Sequence, residues 1–517
     1  MINNILFIIK MIPIYSPNIG IYTKSAKEAI DSGWISNHGI YVEKSTLLLK
    51  KILNVKHTIL MNNGTCATHC LFIALKYKYP HIQKIYIPNN AYVAAWNACF
   101  MEYSKSHVEV MKMDIDTWNI STDENYIRSL DANSAVLIVH NLGNIVNVPR
   151  LKKIRPDLIF IEDNCEGFTG KYENIYSGTS ESTLCSSVSF YGNKIITTGE
   201  GGAFMTNDDD VYEYIKKAYS QGMSSTRYLH DTHAYNYRMT NIQAAFLYDQ
   251  LNNFDTIISN KQKLFSVYRE LFAPLVRIGK LSFFKIEEHT ENSNWIFAIR
   301  IINNTLSIDE LNQFFNKHNI DIRPFFYPIT SHKHLSDISF DDPNSILLNQ
   351  EILMIPSSPD ITLEQQKQVV DSFYHLLLDN IDIIPITPSN TTILQKFIKT
   401  INDTHFRYYN SRNIDIIENH LTTILLQKDN ISIGYAHIDL DNLENKHWIG
   451  IYLDPDYRNK GIGKLLLAYL VFIAKYHNIQ ELYLSVDHDN TNAISLYQKL
   501  GFKSIQEKNI IIMKYSL

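Results

Sequence analysis

The chain has 517 residues, of which 45% are hydrophobic and 20% charged, with a formal net charge of −5. These values exclude a disordered chain, and the absence of long like-signed charge runs excludes the basic footprint of a nucleic-acid binder. The length also exceeds the roughly 250–300 residues at which a single core stops growing, so at least two domains are expected.

The opening MINNILFIIKM is far shorter than the roughly 20 apolar residues that span a bilayer and has no small-residue cleavage site after it. It reads as a short extension ahead of Met11, and no membrane segment is expected. From Met11 to Tyr228, short apolar runs (HTILMNN, KIYIPNN, AVLIVHN, LIFIEDN, SSVSFYGNK) alternate with amphipathic stretches. That alternation predicts βα units around a mostly parallel sheet, with ligands beyond the carboxyl ends of the strands. The five cysteines, Cys66, Cys70, Cys99, Cys165 and Cys185, form no CxxC pair. They fit reduced thiols in the cytoplasm better than a disulfide framework or a zinc site.

Between Asn241 and about Asp379 the pattern changes to long helices, NIQAAFLYDQLNNF and TLEQQKQVVDSFYHLLL, with a few strands such as NWIFAIRI. A smaller α+β lobe is expected there. Pro385 and Pro388 in DNIDIIPITPSN punctuate the chain at the next boundary. Beyond it, the strand-like runs HLTTILLQ, NISIGYAHIDL, HWIGIYLDP, ELYLSVDH and NIIIMKYS, with helices from Gly463 and Asn492, predict a compact mixed α+β domain over 380–517.

IEDNCEG and SFYGNKIITTGEGG supply what a pyridoxal phosphate (PLP) enzyme needs: an acid for the pyridine nitrogen, Asp163, and a lysine for the Schiff base, Lys194. A lysine displaced by an incoming amine becomes a base beside the reacting carbon. In NNGTCAT the backbone amides of Gly64 and Thr65 open a helix where an anion is favoured, and Ser189 adds a hydroxyl for the 5′-phosphate. Tyr92 is placed to lie against one ring face, and Glu166 to reach the phenolic oxygen. Each feature alone is common in turns and helix caps.

Their order carries more. SGWIS, NNGT, DTWNI, VH, IEDNCEG, SFYGNKIITTGEGG, YNYRMTNIQAA and RPFFYPI follow one another as they do in the DegT/DnrJ/EryC1/StrS sugar aminotransferases, and residues 11 to about 379 resemble that family's perosamine synthase-like members. The resemblance implies an α/β, fold type I PLP transferase over 1–379, with a large domain over about 11–240 and a small lobe over about 241–379. It implies that Lys194 carries the cofactor, Asp163 pairs with the pyridinium, and Glu166 stands where relatives have Gln, His or Glu. Asn236 matches a residue that reaches the phosphate bound by a neighbouring subunit, so a homodimer with shared sites follows. Trp34, Ser36 and Arg323 fall where relatives contact the sugar nucleotide, although Trp34 reads equally well as core packing. Ala91, Tyr235 and VHNLG depart from the family pattern at the cofactor rim. Relatives that are sugar 3-dehydratases carry His at the lysine position, and Lys194 argues against that activity.

In YLDPDYRNKGIGKLLL, Arg458, Lys460, Gly461 and Gly463 build a glycine loop at a helix start, suited to a pyrophosphate. LSVDHDNTNAISLYQKLGF follows with Asn492 and Tyr497. Together these resemble the GNAT acetyltransferases. The resemblance implies acetyl-CoA as donor, its arm lying between two splayed strands, Tyr497 as proton donor to the departing thiolate and Asn492 on the CoA arm. The base is left open among His437, Asp439, Glu444 and His447, and Arg407 and Tyr408 are candidate nucleotide or sugar contacts.

Transamination creates a primary amine and acetyl transfer consumes one, whereas an acetylated nitrogen cannot enter transamination. The perosamine synthase-like resemblance implies a nucleotide-linked 4-keto-6-deoxyhexose aminated at C4, so the expected activity is that amination, with L-glutamate as donor, followed by N-acetylation of the new amine. Two alternatives stand beside it: acetylation of an unrelated amine, and a C-terminal domain that only binds CoA or stabilises a dimer. The nucleotide (GDP, favoured by the perosamine synthase likeness, or UDP or dTDP), the C2 substituent and the C4 configuration stay open.

Overall fold

The structure, a computed structural model, describes residues 11–226, 228–378, 381–401, 417, 420–441, 444–507 and 510–517. Arg407 and Tyr408 lie outside the described residues. Two compact units form: one from the residues up to Ser266 with Ser282–Thr362, the other from Val267–Leu281 with Leu363–Leu517. The helix Phe254–Arg277 thus contributes to both. No described helix is long and apolar enough to cross a membrane.

The first unit is built on a seven-stranded sheet, in spatial order His57–Met61, Gly202–Thr206, Thr183–Ser189, Ile159–Asp163, Ala135–Val139, Ile85–Pro88 and Val108–Met111. Ala135–Val139 shows why it forms: all five residues are buried, as expected for a parallel strand covered on both faces. Val136 and Ile138 join one apolar cluster. Ala135, Leu137 and Val139 join another, because successive side chains point to opposite faces. Each buried aliphatic side chain contributes about 1.5–3 kcal/mol.

The sheet is parallel from Val108–Met111 through Thr183–Ser189. It turns antiparallel at Gly202–Thr206 and His57–Met61. The reason lies in the chain between Ser189 and Gly202, which contains no helix to carry a crossover. The chain therefore returns directly, and Ser189 pairs with Gly202 at the base of a loop. Lys194 lies in this loop. The strands Val108–Met111, Gly202–Thr206 and Lys503–Glu507 are not among those expected from the sequence.

In the second unit a seven-stranded sheet has the order Ile381–Pro385, His420–Lys428, Ile431–Asp441, Lys446–Leu453, Glu481–Val486, Ile511–Ser516 and Lys503–Glu507. Among the described residues its one parallel junction joins Lys446–Leu453 to Glu481–Val486 through two register pairs, His447 with Leu482 and Trp448 with Tyr483. Beyond Trp448 these two strands have no pairing with each other among the described residues.

Candidate functional site

Backbone bonds fix the Lys194 loop: Phe190 N–H donates to Gly201 O at 2.8 Å, and Thr198 N–H to Phe190 O at 2.9 Å. Gln250 clamps the far side, accepting from Thr197 N–H at 3.0 Å and donating to Thr197 O at 2.6 Å. The Tyr15 hydroxyl donates to Lys194 O at 2.9 Å. Lys194 Nζ lies 3.7 Å from the ring centroid of Trp295, a cation–π contact that holds the ammonium in place. Trp295 is buried, and its indole N–H donates to Asn193 O at 2.8 Å. The sequence reading missed Trp295 and Tyr15, because neither is near Lys194 in the chain.

Asp163 ends its strand opposite Ser187 and is 7% exposed. Cys165 N–H donates to Asp163 Oδ1 at 3.1 Å, and Thr68 Oγ1 to Oδ2 at 3.4 Å. Thr68 also lies 2.9 Å from Ser187 Oγ. The sequence held a signal for Thr68, since it is one helical turn beyond Gly64. Directly behind Asp163, fully buried Glu162 accepts from His140 Nε2 at 2.8 Å, Gly178 N–H at 2.9 Å, Tyr172 Oη at 3.2 Å and the Thr183 hydroxyl. Val146 N–H donates to His140 Nδ1 at 3.1 Å, which assigns the His140 hydrogen to Nε2. This network fixes the strand end that presents Asp163.

Asn63 caps the helix Gly64–Lys78 by accepting from Cys66 N–H at 2.8 Å. A Cβ on Gly64 would lie 2.6 Å from Ser189 Cβ and 2.8 Å from its hydroxyl oxygen. The absence of a side chain therefore brings the helix amides and the Ser189 hydroxyl together, a cradle suited to a phosphate. These residues fit pyridoxal phosphate: anion donors at Gly64 and Ser189, a buried carboxylate at Asp163, and a lysine held against Trp295. Gly64→Ala is expected to weaken cofactor binding roughly 10–100-fold, the effect of about 1–3 kcal/mol of overpacking. Absorbance titration with the cofactor measures it, and an unchanged dissociation constant would reject the cradle.

Burial pushes the Glu166 carboxyl up to about 7, opposed by the charge of Lys194 and reinforced by Asp163. Leu142 N–H donates to Glu166 Oε2 at 2.8 Å. Below that pH Glu166 is protonated and can donate; above it, it only accepts. Glu166→Gln donates at every pH, so it is expected to remove a transition near pH 7 from the visible spectrum of the cofactor-loaded protein. Persistence of that transition assigns it to another group.

Tyr92, 61% exposed at the start of the helix Val93–Glu102, packs edge-on to Phe326 at 6.3 Å. Asn90 Nδ2 donates to Phe326 O at 2.8 Å, which joins PNNAYVAA to RPFFYPI. Trp34 is 62% exposed, so it is not core. Asn241 holds its loop, donating from Nδ2 to Trp34 O at 2.6 Å and from N–H to Ser36 O at 2.9 Å. Ser36 is exposed; Arg323 is exposed and ion-paired with Asp321; exposed Asn236 accepts from Arg238 Nε at 2.9 Å. Among the described residues no hydrogen bond or ion pair joins Ser36, Arg323 or Asn236 to Lys194.

In the second unit Gly461, at φ 85°, caps the helix Ile462–Tyr476, a left-handed position that favours glycine. A Cβ on Gly463 would meet Leu496 at 3.3 Å. Arg458 Nε donates to Leu453 O at 2.8 Å, fastening the loop to the strand end, and Lys460 lies 5.3 Å from the Tyr457 ring. Tyr497, half-buried in the helix Thr491–Lys499 that also bears exposed Asn492, has its hydroxyl pushed up to about 12 by burial. It therefore keeps its proton across the neutral range.

A model of the DegT/DnrJ/EryC1/StrS aminotransferase family matches residues 21–374, and one of the acetyltransferase (GNAT) family matches 391–502. The GDP-perosamine synthase of Escherichia coli O157:H7 is 31% identical over 374 residues, 72% of this chain and 100% of that protein. The Vibrio cholerae GDP-perosamine synthase is 30% identical over 372 residues, 69% of this chain and 97% of its own. Among solved structures, Helicobacter pylori PseC, an aminotransferase involved in the biosynthesis of pseudoaminic acid, aligns at a TM-score of 0.63 and 20% identity, covering 71% of this chain and 100% of that one. The E. coli GDP-4-keto-6-deoxy-D-mannose-3-dehydratase with bound hydrated PLP aligns at 0.63 and 20% identity, covering 70% and 99%. At such identities these structures establish the shared fold, fold type I of the PLP-dependent enzymes.

Proposed function

Because the chain belongs to the DegT/DnrJ/EryC1/StrS aminotransferase family and carries a GNAT acetyltransferase domain, we propose that it aminates C4 of a nucleotide-linked 4-keto-6-deoxyhexose, with glutamate as donor, and then acetylates the new nitrogen. The product is a 4-acetamido-4,6-dideoxy sugar nucleotide. One observation carries this reading: a lysine and carboxylate suited to making an amine share a chain with a glycine loop and tyrosine suited to consuming one.

Bound pyridoxal phosphate supplies an electron sink for the carbon that loses its proton. The amides of Gly64 and Thr65 and the Ser189 hydroxyl hold its phosphate, while Asp163 keeps a proton on the pyridine nitrogen. Lys194 Nζ takes a proton from the amino-donor carbon and returns one to the sugar carbon, with Trp295 restraining the ammonium in between. Exposed Tyr92 and Trp34 offer aromatic faces for the ring and the sugar nucleotide. Exposed Asn236 fits a role toward the phosphate of a second subunit in a homodimer. In the second unit the amides around Gly461 and Gly463 hold the pyrophosphate of CoA, and Tyr497 gives its proton to the leaving thiolate.

Mass spectrometry of the purified protein supplied with a 4-keto-6-deoxy sugar nucleotide, glutamate and acetyl-CoA tests the reading. The amine is expected without acetyl-CoA and the acetamide with it. An amine that never becomes acetylated overturns the second step.

A further inference from the structure

The four side chains considered for the acetyl-transfer base separate once the sheet register is known. Glu444 is exposed and paired with Lys446 at 2.8 Å. His447 pairs with Leu440, while His437 pairs with Gly450 and Asp439 with Trp448. Side chains alternate across a strand, so His447 faces away from His437 and Asp439, which share one face.

That face is built around His437. Its ring is 7% exposed and stacks on His420 with centroids 4.6 Å apart and planes 12° apart, and on Tyr435 at 5.1 Å. A Cβ on Gly450 would lie 2.1 Å from His437 Cε1, so the imidazole rests on the strand where only glycine leaves room. Gly450 is two residues beyond Trp448, where the strand Lys446–Leu453 loses its pairing with Glu481–Val486. An unpaired strand edge binds a ligand rich in amides by β-type hydrogen bonds, as the arm of CoA can provide. The imidazole therefore lies beside the edge that an acyl-CoA arm would occupy.

We propose that His437 is the base that takes the proton from the acceptor ammonium during acetyl transfer. The amine nitrogen then attacks the thioester carbonyl, the C–S bond breaks, and the thiolate takes the Tyr497 proton. The phenolate recovers a proton from the new amide nitrogen, and His437 releases its own to solvent. His420, His437 and Asp439 present ligand atoms within 4.8 Å of one another. The groups around His437 include Tyr435 and Asp439 on its own strand, His420 and Thr423 on the strand His420–Lys428, and Trp448 and Gly450 on Lys446–Leu453.

The proposal rests on the acetyltransferase activity, and on the function proposed above only for the choice of acceptor. The test follows acetyl-CoA consumption by the full-length protein with the 4-amino sugar nucleotide, lysine and spermidine, from pH 5.5 to 9.5. The wild type is expected to gain kcat/KM through neutral pH. His437→Gln is expected to lose roughly 10²-fold or more at pH 7, to lose that neutral limb, and to bind acetyl-CoA unchanged by calorimetry. Added imidazole is expected to restore part of the rate to His437→Ala. Gly450→Ala, which displaces the ring, is expected to lower the rate without changing acetyl-CoA affinity. A His437→Gln variant that binds acetyl-CoA normally and keeps the wild-type rate and pH profile overturns the proposal. So does activity lost on dialysis against a chelator and restored by zinc alone, which makes the cluster a metal site, or failure of the wild type to acetylate any amine. Transfer to lysine or spermidine but not to the sugar, with the same dependence on His437, overturns only the choice of acceptor.

Discussion

Lys194→Ala is expected to abolish transamination, by at least about 10⁴-fold, and to remove the visible absorbance of the lysine-bound cofactor. Both functions proposed for this side chain would disappear with it: covalent anchorage and proton transfer at the reacting carbon. The loop itself should survive, because its bonds run through Phe190, Thr197, Thr198 and Gln250 rather than through the Lys194 side chain. The substitution also separates the two reactions. Acetyl transfer to a 4-amino sugar nucleotide supplied ready-made is expected to continue, since the glycine loop and Tyr497 belong to the other compact unit. Retained visible absorbance in the Ala variant would remove Lys194 from its assigned place.

Asp163→Asn carries the second large effect. The amide keeps the size of the carboxylate; its one oxygen can still accept from Cys165 N–H and its NH2 can donate to the Thr68 hydroxyl, partners that lie 3.1 and 3.4 Å from the present oxygens. It cannot stabilise a positive charge on a pyridine nitrogen. Transamination is expected to fall on the order of 10³-fold, as when a preorganised electrostatic partner of a transition state is removed. Cofactor affinity is expected to change far less, because the proposed phosphate cradle of Gly64, Thr65 and Ser189 is left intact. Single-turnover rates and a cofactor titration measure the two quantities separately. A variant within tenfold of wild type would show that another group protonates the ring.

How much of this was legible in the sequence depends on the distance over which each feature is encoded. Lys194, Asp163, Gly64 and Ser189 stand out because an apolar strand followed by small and polar residues is a local pattern. The order of such patterns along the chain identified the family. The glycine loop from Arg458 to Gly463 and the Asn492–Tyr497 helix are local in the same way. The strand Gly202–Thr206 was not legible, because its direction follows from the missing crossover helix rather than from its own residues.

The sequence by itself determined the chemistry on offer: which side chains can hold an anion, pair with a pyridinium, carry a Schiff base or give a proton. Only the tertiary structure decided who stands beside whom. Trp295 reaches Lys194 Nζ across 100 intervening positions of chain, and Thr68 reaches Asp163 from a different element. Sheet register put His437 and His447 on opposite faces and left glycine under His437. The physical reason is the same each time. Periodicity and residue type act over one or two turns of helix or strand, whereas register and sheet order come from pairing and packing between segments distant in the chain.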